Sequence, residues 1–253
     1  MTAIALIPAR SGSGRLRNKN IRPFLGHPML AYAVAAARNS GLFSRVILST
    51  DSEYYGEVGE YYGAEVLLRP ADLATSTAGL VPVAQHAIQY AQDTGTDAEI
   101  LCQLMPCCPL RRAQNISDLM AQFVDNQRSF QLSMLEYIGT YPEWAMVRDG
   151  SGCIEFLYGR DNIRRSQELA ESSSPSGAIW LTRIADFLNQ GEFYGQPLYG
   201  ELLPMPAGID IDTLADFEFA TALALGYEKS RGASVVEPIS IDPWQIPPEL
   251  IDV

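Results

Sequence analysis

Two groups of residues have the types and spacing for chemistry on an anion. The first is the segment Pro8-Ala9-Arg10-Ser11-Gly12-Ser13-Gly14-Arg15, with Lys19 and Asn20 close behind. Small residues let backbone N–H groups approach a phosphate closely, and arginine offers a charge-assisted fork. No G-K-S or G-K-T follows, so this is not a Walker loop. Nor is it a dinucleotide fingerprint, because Gly12 and Gly14 lack a third glycine three residues on. The second group is Asp210 and Asp212, two carboxylates at i and i+2. On an extended segment they point the same way, and oxygen donors of this kind suit magnesium. The sulfur and imidazole donors say less. Cys102, Cys107, Cys108 and Cys153, with His27 and His86, show no C-x-x-C or zinc-ribbon spacing. That argues against a structural zinc site and leaves reduced, mostly buried thiols.

Charge narrows the ligand. The 253 residues carry 18 Lys and Arg against 30 Asp and Glu, a net charge of −12. So acidic a chain is a poor general partner for nucleic acid, whose phosphate backbone needs a basic face. The charge is unevenly placed. Residues 1–50 hold Arg10, Arg15, Arg17, Lys19, Arg22, Arg38 and Arg45 and no acid at all. A compact basic segment in an acidic chain suggests a small polyanionic ligand. Apolar residues make up 47%, with 12 Tyr, 9 Phe and 3 Trp, which excludes a disordered chain. No apolar run approaches the roughly 18 residues of a membrane span. The first residues lack the basic segment of a signal peptide, so the expected location is the cytoplasm.

The elements that must position these residues read as an α/β alternation. Ala3 to Ala9 is an apolar run of the kind a doubly buried parallel strand gives. Residues 10 to 28 form a loop, and a helix at about 29–39 closes at Gly41. Strands follow at Arg45–Ser49, Glu65–Leu68 and Glu99–Leu104, with helices from Ser52 to near Gly63, from Val81 to Gln92 and from Asn115 to Val124. In the last, Ile116, Leu119, Met120, Phe123 and Val124 share a face, and Asn115 and Asp118 supply capping chemistry. This spacing means a mostly parallel sheet of Rossmann-like type flanked by helices. The rhythm breaks over about 130–177, where Asp149-Gly150-Ser151-Gly152 turns a β-hairpin between Trp144–Arg148 and Cys153–Tyr158. Strand and helix return at Ala178–Leu188. Leu202-Leu203 opens an apolar strand reading toward Asp210, and Thr213 with Asp216 caps a final helix through Leu225.

Five ordered stretches give a resemblance. I-P-A-R-S-G-S-G-R-L-R-N-K-N (7–20), L-S-T-D (48–51) with G-A-E-V and R-P (63–70), L-M-P-C-C-P-L-R (104–111), R-S-Q-E-L with S-G-A-I-W (165–180) and I-D-I-D-T (209–213) resemble the sugar-acid cytidylyltransferases. These are the CMP-sialic acid synthetases and their pseudaminate and legionaminate relatives. The resemblance spans about residues 3–227. It implies transfer of CMP from CTP to the anomeric hydroxyl of a 2-keto sugar acid, with release of pyrophosphate, in a magnesium-dependent homodimer. It also implies roles. Arg10 and Lys19 contact the triphosphate, and the backbone of Ala9, Ser11, Gly12 and Ser13 holds the nucleotide with Asn20 beside it. Arg15 supplies loop charge, and Arg69 makes a nucleotide contact. Met105 stands where the family places substrate contacts. Arg165 and Gln167 reach the sugar acid of the partner's site, and Asp210 and Asp212 bind magnesium, with Asp212 placed to take the hydroxyl proton.

The sequence departs from the family pattern at named positions. Gly14 replaces a first-loop lysine, Met105-Pro106-Cys107-Cys108 replaces Gln-Pro-Thr-Ser, and Ser176 replaces an asparagine. Two alternatives to the active nonulosonate enzyme therefore stay open: a non-catalytic nucleotide- or sugar-binding relative, and a 3-deoxy-octulosonate cytidylyltransferase, whose S-T-R-L loop Arg15-Leu16 resembles. The expected organisation is a cytidylyltransferase domain over 1–230, with the dimerisation or lid arm at about 130–177, and an extended tail over 231–253.

Overall fold

All six residues of β1 (Ala3–Pro8) are buried, and they serve two cores. Ala3, Ala5 and Ile7 face one side of a sheet, while Ile4 and Leu6 face the other. That is the period-2 alternation of a strand covered on both faces. The computed structural model describes residues 1–75, 77–137, 140–232 and 234–241. After β1 the chain runs through β2 (Pro23–Phe24), β3 (His27–Pro28), α1 (Met29–Ser40), β4 (Arg45–Thr50), α2 (Glu53–Tyr61), β5 (Glu65–Leu68) and α3 (Leu80–Asp93). It continues through β6 (Ile100–Gln103), α4 (Ala113–Asp125), β7 (Phe130–Glu136), β8 (Met146–Arg148) and β9 (Ile154–Phe156). It closes with β10 (Ser173–Arg183), α5 (Ile184–Gln190), β11 (Leu198–Leu202) and α6 (Leu214–Arg231).

Seven strands form the central sheet in the order β11-β7-β10-β6-β1-β4-β5. β1, β4, β5 and β6 are parallel neighbours, and β11 is parallel to β7. β10 alone runs antiparallel, to both β6 and β7. Side chains of α1, α2 and α4 pack on one face around Leu30, Val58, Ile116 and Phe123. Those of α3 and α5 cover the other around Ala87, Ile88 and Phe187. The mostly parallel sheet flanked by helices therefore matches the sequence reading. α6 closes a third cluster over the first loop, where Ala220 and Ala224 meet Leu16, Phe24 and Tyr32.

Several boundaries differ from expectation. β7 and β10 are strands of the central sheet, so the excursion is confined to about 137–172 and not 130–177. β7 lies inside the expected arm, whereas β10 overlaps it only over 173–177 and continues as the strand expected from Ala178. α4 starts at Ala113, two residues early, because the Glu237 carboxylate accepts from the Ala113 N–H at 2.7 Å. Asn115 sits at the third helical position, where its side-chain oxygen accepts from the Arg112 N–H, and Asp118 accepts from Gln114. α6 runs to Arg231, past Leu225, and stops at Gly232 in the left-handed region (φ 64). The tail is not free over 234–241: Glu237 is buried, and Val235, Val236, Ile239 and Ile241 pack on the core. The rest of the expected tail, 242–253, lies outside the described residues. Among the described residues, no helix is long and apolar enough to cross a membrane.

Candidate active site

The carboxyl ends of β1, β4, β5 and β6 lie side by side, and Arg10, Asp51, Arg69 and the Met105–Cys107 turn follow them. Ligands bind at this edge in open α/β sheets. After β1 the backbone is fixed twice. Ala9 N–H donates to Ser49 O at 2.9 Å, and Asp51 accepts from both the Ser11 N–H and its hydroxyl at 2.7 and 3.0 Å. Asn20 Nδ2 donates to Arg10 O at 2.9 Å and ties the far side of the loop to its start. Asn18 adopts φ 52, a left-handed conformation that asparagine tolerates. It reverses the chain into a 3-10 turn over Lys19–Ile21, which carries Lys19 inward. A cavity of about 690 Å³, counting its open mouth, lies between these parts.

Four cationic side chains line it: Arg10, Arg15, Lys19 and Arg69. Arg69 is held by Ser49, donating Nε to the hydroxyl and Nη2 to the carbonyl, each at 2.9 Å. Burial pushes its pKa down to about 10, with Asp51 opposing and Arg10 reinforcing the shift, so it remains cationic at neutral pH. Lys19 Nζ donates to Asp212 Oδ1 at 2.9 Å, and Arg15 Nη2 meets Asp212 Oδ2 at 2.7 Å. Burial alone would lower the Lys19 pKa, but Cys107, Asp212 and Asp210 outweigh it and hold the ammonium above its usual range. The two ion pairs are unequal in exposure: the Lys19 side chain is 16% exposed and that of Arg15 is 69%.

Asp210 and Asp212 do not end a strand, as the apolar run from Leu202 suggested. β11 stops at Leu202, and a 3-10 turn over Met205–Gly208 delivers the aspartates to the cavity edge. The Ile211 N–H donates to Cys107 O at 2.9 Å and locks this segment to the loop after β6. Although Asp210 as a residue is exposed, its carboxylate is desolvated. Burial raises its pKa, while the Cys107 thiol and Lys19 act the other way. Gly177 permits the close approach, since a Cβ there would lie 3.0 Å from Met105 Cγ and 3.4 Å from Asp210 Oδ2. The oxygen donors fit magnesium in kind, although both oxygens of Asp212 already accept from cations.

The structure brings Arg10, Ser13, Arg15, Lys19, Asn20, Arg69, Met105 and Asp212 to one cavity, with Asp210 at its edge. Ala9, Ser11 and Gly12 do not line it; Ala9 is buried and Ser11 is turned onto Asp51. Arg165 and Gln167 are exposed on the excursion and stand outside the cavity of their own chain. Ser176, by contrast, is structural: its hydroxyl donates to Gly208 O at 3.0 Å and accepts from the Ala178 N–H at 3.1 Å. A side chain at Gly14 would meet nothing within 4 Å, so crowding does not explain the missing lysine.

Sequence reasoning missed three contributors. Ala78, Leu80 and Val83, at the start of α3, form an apolar wall. The small residues running into the Gly79 cap before a helix were the available signal. Asp51 was quoted only as part of a motif. Arg111 is fully buried and donates Nη1 to Met105 O at 3.1 Å and to Ala178 O at 2.6 Å, fastening the 105–110 loop to β10. Its pKa is lowered by burial and partly restored by Cys108, Cys102 and Cys107.

Residues 4–134 match the family model described as Cytidylyltransferase. The chain belongs to the cytidylyltransferase family. It is thus an enzyme of that family, and its first loop and the L-M-P-C-C-P-L-R turn fall inside the matched region. It is 31% identical over 220 residues to the N-acylneuraminate cytidylyltransferase of Escherichia coli O18:K1:H7, covering 87% of this chain and 51% of that one. The chain therefore spans about half the length of that relative. It is also 31% identical over 225 residues to a pseudaminic acid cytidylyltransferase of Campylobacter jejuni, covering 88% of this chain and 96% of the other. In fold, this cytidylyltransferase resembles a CMP:2-keto-3-deoxy-manno-octonic acid synthetase solved with CTP (TM-score 0.63, 18% identity, 89% and 99% of the two chains).

Proposed function

We propose that this cytidylyltransferase moves CMP from CTP to the anomeric hydroxyl of a nonulosonic, sialic-type acid and releases pyrophosphate. The observation that carries this reading is the convergence of Arg10, Arg15, Lys19 and Arg69 on one cavity in a chain of net charge −12. The acceptor class rests on the acids named for the two relatives. In the reaction the anomeric oxygen forms a bond to the α-phosphorus, the bond to the bridging oxygen breaks, and pyrophosphate leaves with its electron pair. Catalysis is then positioning plus charge neutralisation.

In this reading Arg10 and Lys19 neutralise the triphosphate, and Arg69 holds the nucleotide from the β5 side. The backbone from Ala9 to Ser13 surrounds the nucleotide, as the family resemblance implies. The buried Oδ1 of Asn20 has no partner among the described residues and can accept from a nucleotide hydroxyl or amino group. Asp210 and Asp212 would hold a magnesium ion, which when bound neutralises charge on the phosphate oxygens. Asp212 also aims Lys19 and Arg15. Because Arg15 is exposed, it can leave Asp212 for a phosphate and free Oδ2 to take the acceptor's proton. Met105 meets substrate at the cavity floor. The 137–172 excursion serves as a dimer arm that carries Arg165 and Gln167 to the partner's acceptor. Four free cysteines agree with a reducing cytoplasm.

Pyrophosphate release with CTP and a panel of keto sugar acids tests this, alongside calorimetry with CTP, UTP, ATP and GTP. Turnover of a nonulosonic acid and preference for CTP are expected. CTP binding with no acid turned over would make the chain a non-catalytic relative, and preferential turnover of 3-deoxy-octulosonate would reassign the acceptor.

A further inference from the structure

Adjacent cysteines are an unusual floor for a nucleotide cavity, and here they meet a carboxylate from a distant segment. One donor atom from each of Cys107, Cys108 and Asp210 lies within 4.8 Å of the others. The nearby Cys107 thiol pushes the Cys108 thiol up and opposes the rise of the Asp210 carboxylate, in keeping with two sulfurs and an oxygen that already converge. Both cysteines are buried, while Cys107 also lines the cavity, which gives an ion a way in. The scaffold is stiff. The Ile211 N–H is bonded to Cys107 O, and Arg111 pins the Met105 carbonyl at the start of the turn.

We propose that Cys107, Cys108 and Asp210 form a zinc-class cation site on the floor of the cavity. Two zinc–sulfur bonds of about 2.3 Å at a tetrahedral angle place the sulfurs about 3.8 Å apart, within the observed cluster. Three protein donors leave a fourth position facing the cavity, the pattern of an open site and not of a closed structural one. Thiolates select zinc over magnesium, which prefers oxygen. Binding displaces the two thiol protons to solvent. The resulting group of two thiolates, one carboxylate and one divalent ion carries a single negative charge, which the nearby Lys19 and Arg111 cations offset. Zinc held there takes Asp210 from magnesium and inhibits CMP transfer. That consequence rests on the magnesium role given to Asp210; the binding does not.

Cobalt(II) is the probe, added to the full chain after reduction and EDTA treatment and without nucleotide. A thiolate-to-cobalt charge-transfer band that saturates at one equivalent and disappears on adding zinc is expected. Cys107→Ser and Cys108→Ser should each lose the band, and Cys153→Ser, on the exposed hairpin, should keep it. If one cavity variant fails to fold, the other and Asp210→Asn, with a weakened and altered band, carry the test. Absence of a thiolate band in the unsubstituted chain overturns the site, as does its survival in both cysteine variants. In the turnover assay zinc should inhibit, and Cys108→Ser, referred to its own zinc-free rate, should shift the half-inhibitory concentration at least about tenfold. Cobalt binding without zinc inhibition would uphold the site and refute the magnesium role of Asp210.

Discussion

β1 and β6 are buried along their whole length, and the segments that follow them direct Arg10, Lys19 and Cys107 onto one cavity. The excursion after β7 is built the other way. Its Met146, Val147, Ile154, Leu157, Tyr158 and Ile163 are each 46–58% exposed, and its Arg165 points at nothing in its own cavity. Exposed apolar side chains gathered on one excursion are the kind of surface a partner covers. On the proposed reading, the nucleotide end of the site is complete within one chain, whereas the acceptor end draws on the arm of a partner. We therefore expect substitutions in the two regions to fail differently.

The largest effect should come from Lys19→Ala, which removes a buried cation from the nucleotide end. A fall in kcat of about 10²–10³-fold is expected, with little change in Tm. Steady-state kinetics with melting curves check this, and a kcat within a few-fold of wild type would separate Lys19 from the chemistry. Asp210→Asn should also abolish most turnover but not stability. Burial raises the Asp210 pKa, so the ionised carboxylate costs stability at neutral pH. That cost is full above the raised pKa and fades as pH falls through it toward the unfolded value of 3.8. Asp210→Asn should therefore equal or exceed the wild-type Tm at neutral pH, with the advantage gone in acid; a lower neutral Tm would contradict the burial argument.

On the excursion, Arg165→Ala should raise the sugar-acid KM by about tenfold to a hundredfold, the value of a charge-assisted hydrogen bond, and leave CTP binding unchanged. An unchanged sugar KM would remove its carboxylate role. The smallest effect belongs to Thr213→Ala. It deletes the cap that accepts from the Asp216 N–H at 3.2 Å and should cost about 1 kcal/mol in denaturant unfolding.

The same division explains what was legible in the sequence. β1 and β4 were readable because strands buried within the sheet are continuous apolar runs, and Arg10 and Arg69 stand within two residues of the ends of β1 and β5. Asp210 and Asp212 were readable as a pair but not in their setting, because a 3-10 turn and not a strand delivers them. β7 and the first five residues of β10 fell inside the expected arm, because a strand such as Phe130–Glu136 carries the same alternation as a hairpin strand. Glu237 could not be foreseen as the partner of the α4 N-terminus from a Pro-rich tail. Nor could spacing join Cys107 and Cys108 to Asp210, since a hydrogen bond between two loops does so.

Mixed dimers test the division most directly. A Lys19→Ala chain and an Arg165→Ala chain, co-expressed with different tags and purified through both, form a heterodimer. If the arm of one chain completes the site of the other, one of its two sites has an intact Lys19 and an intact Arg165. The account predicts about half the wild-type turnover for that heterodimer, although each parent homodimer is impaired. A heterodimer no more active than its parents would mean that each chain supplies its own Arg165, and a chain that purifies only as a monomer would remove the shared site altogether.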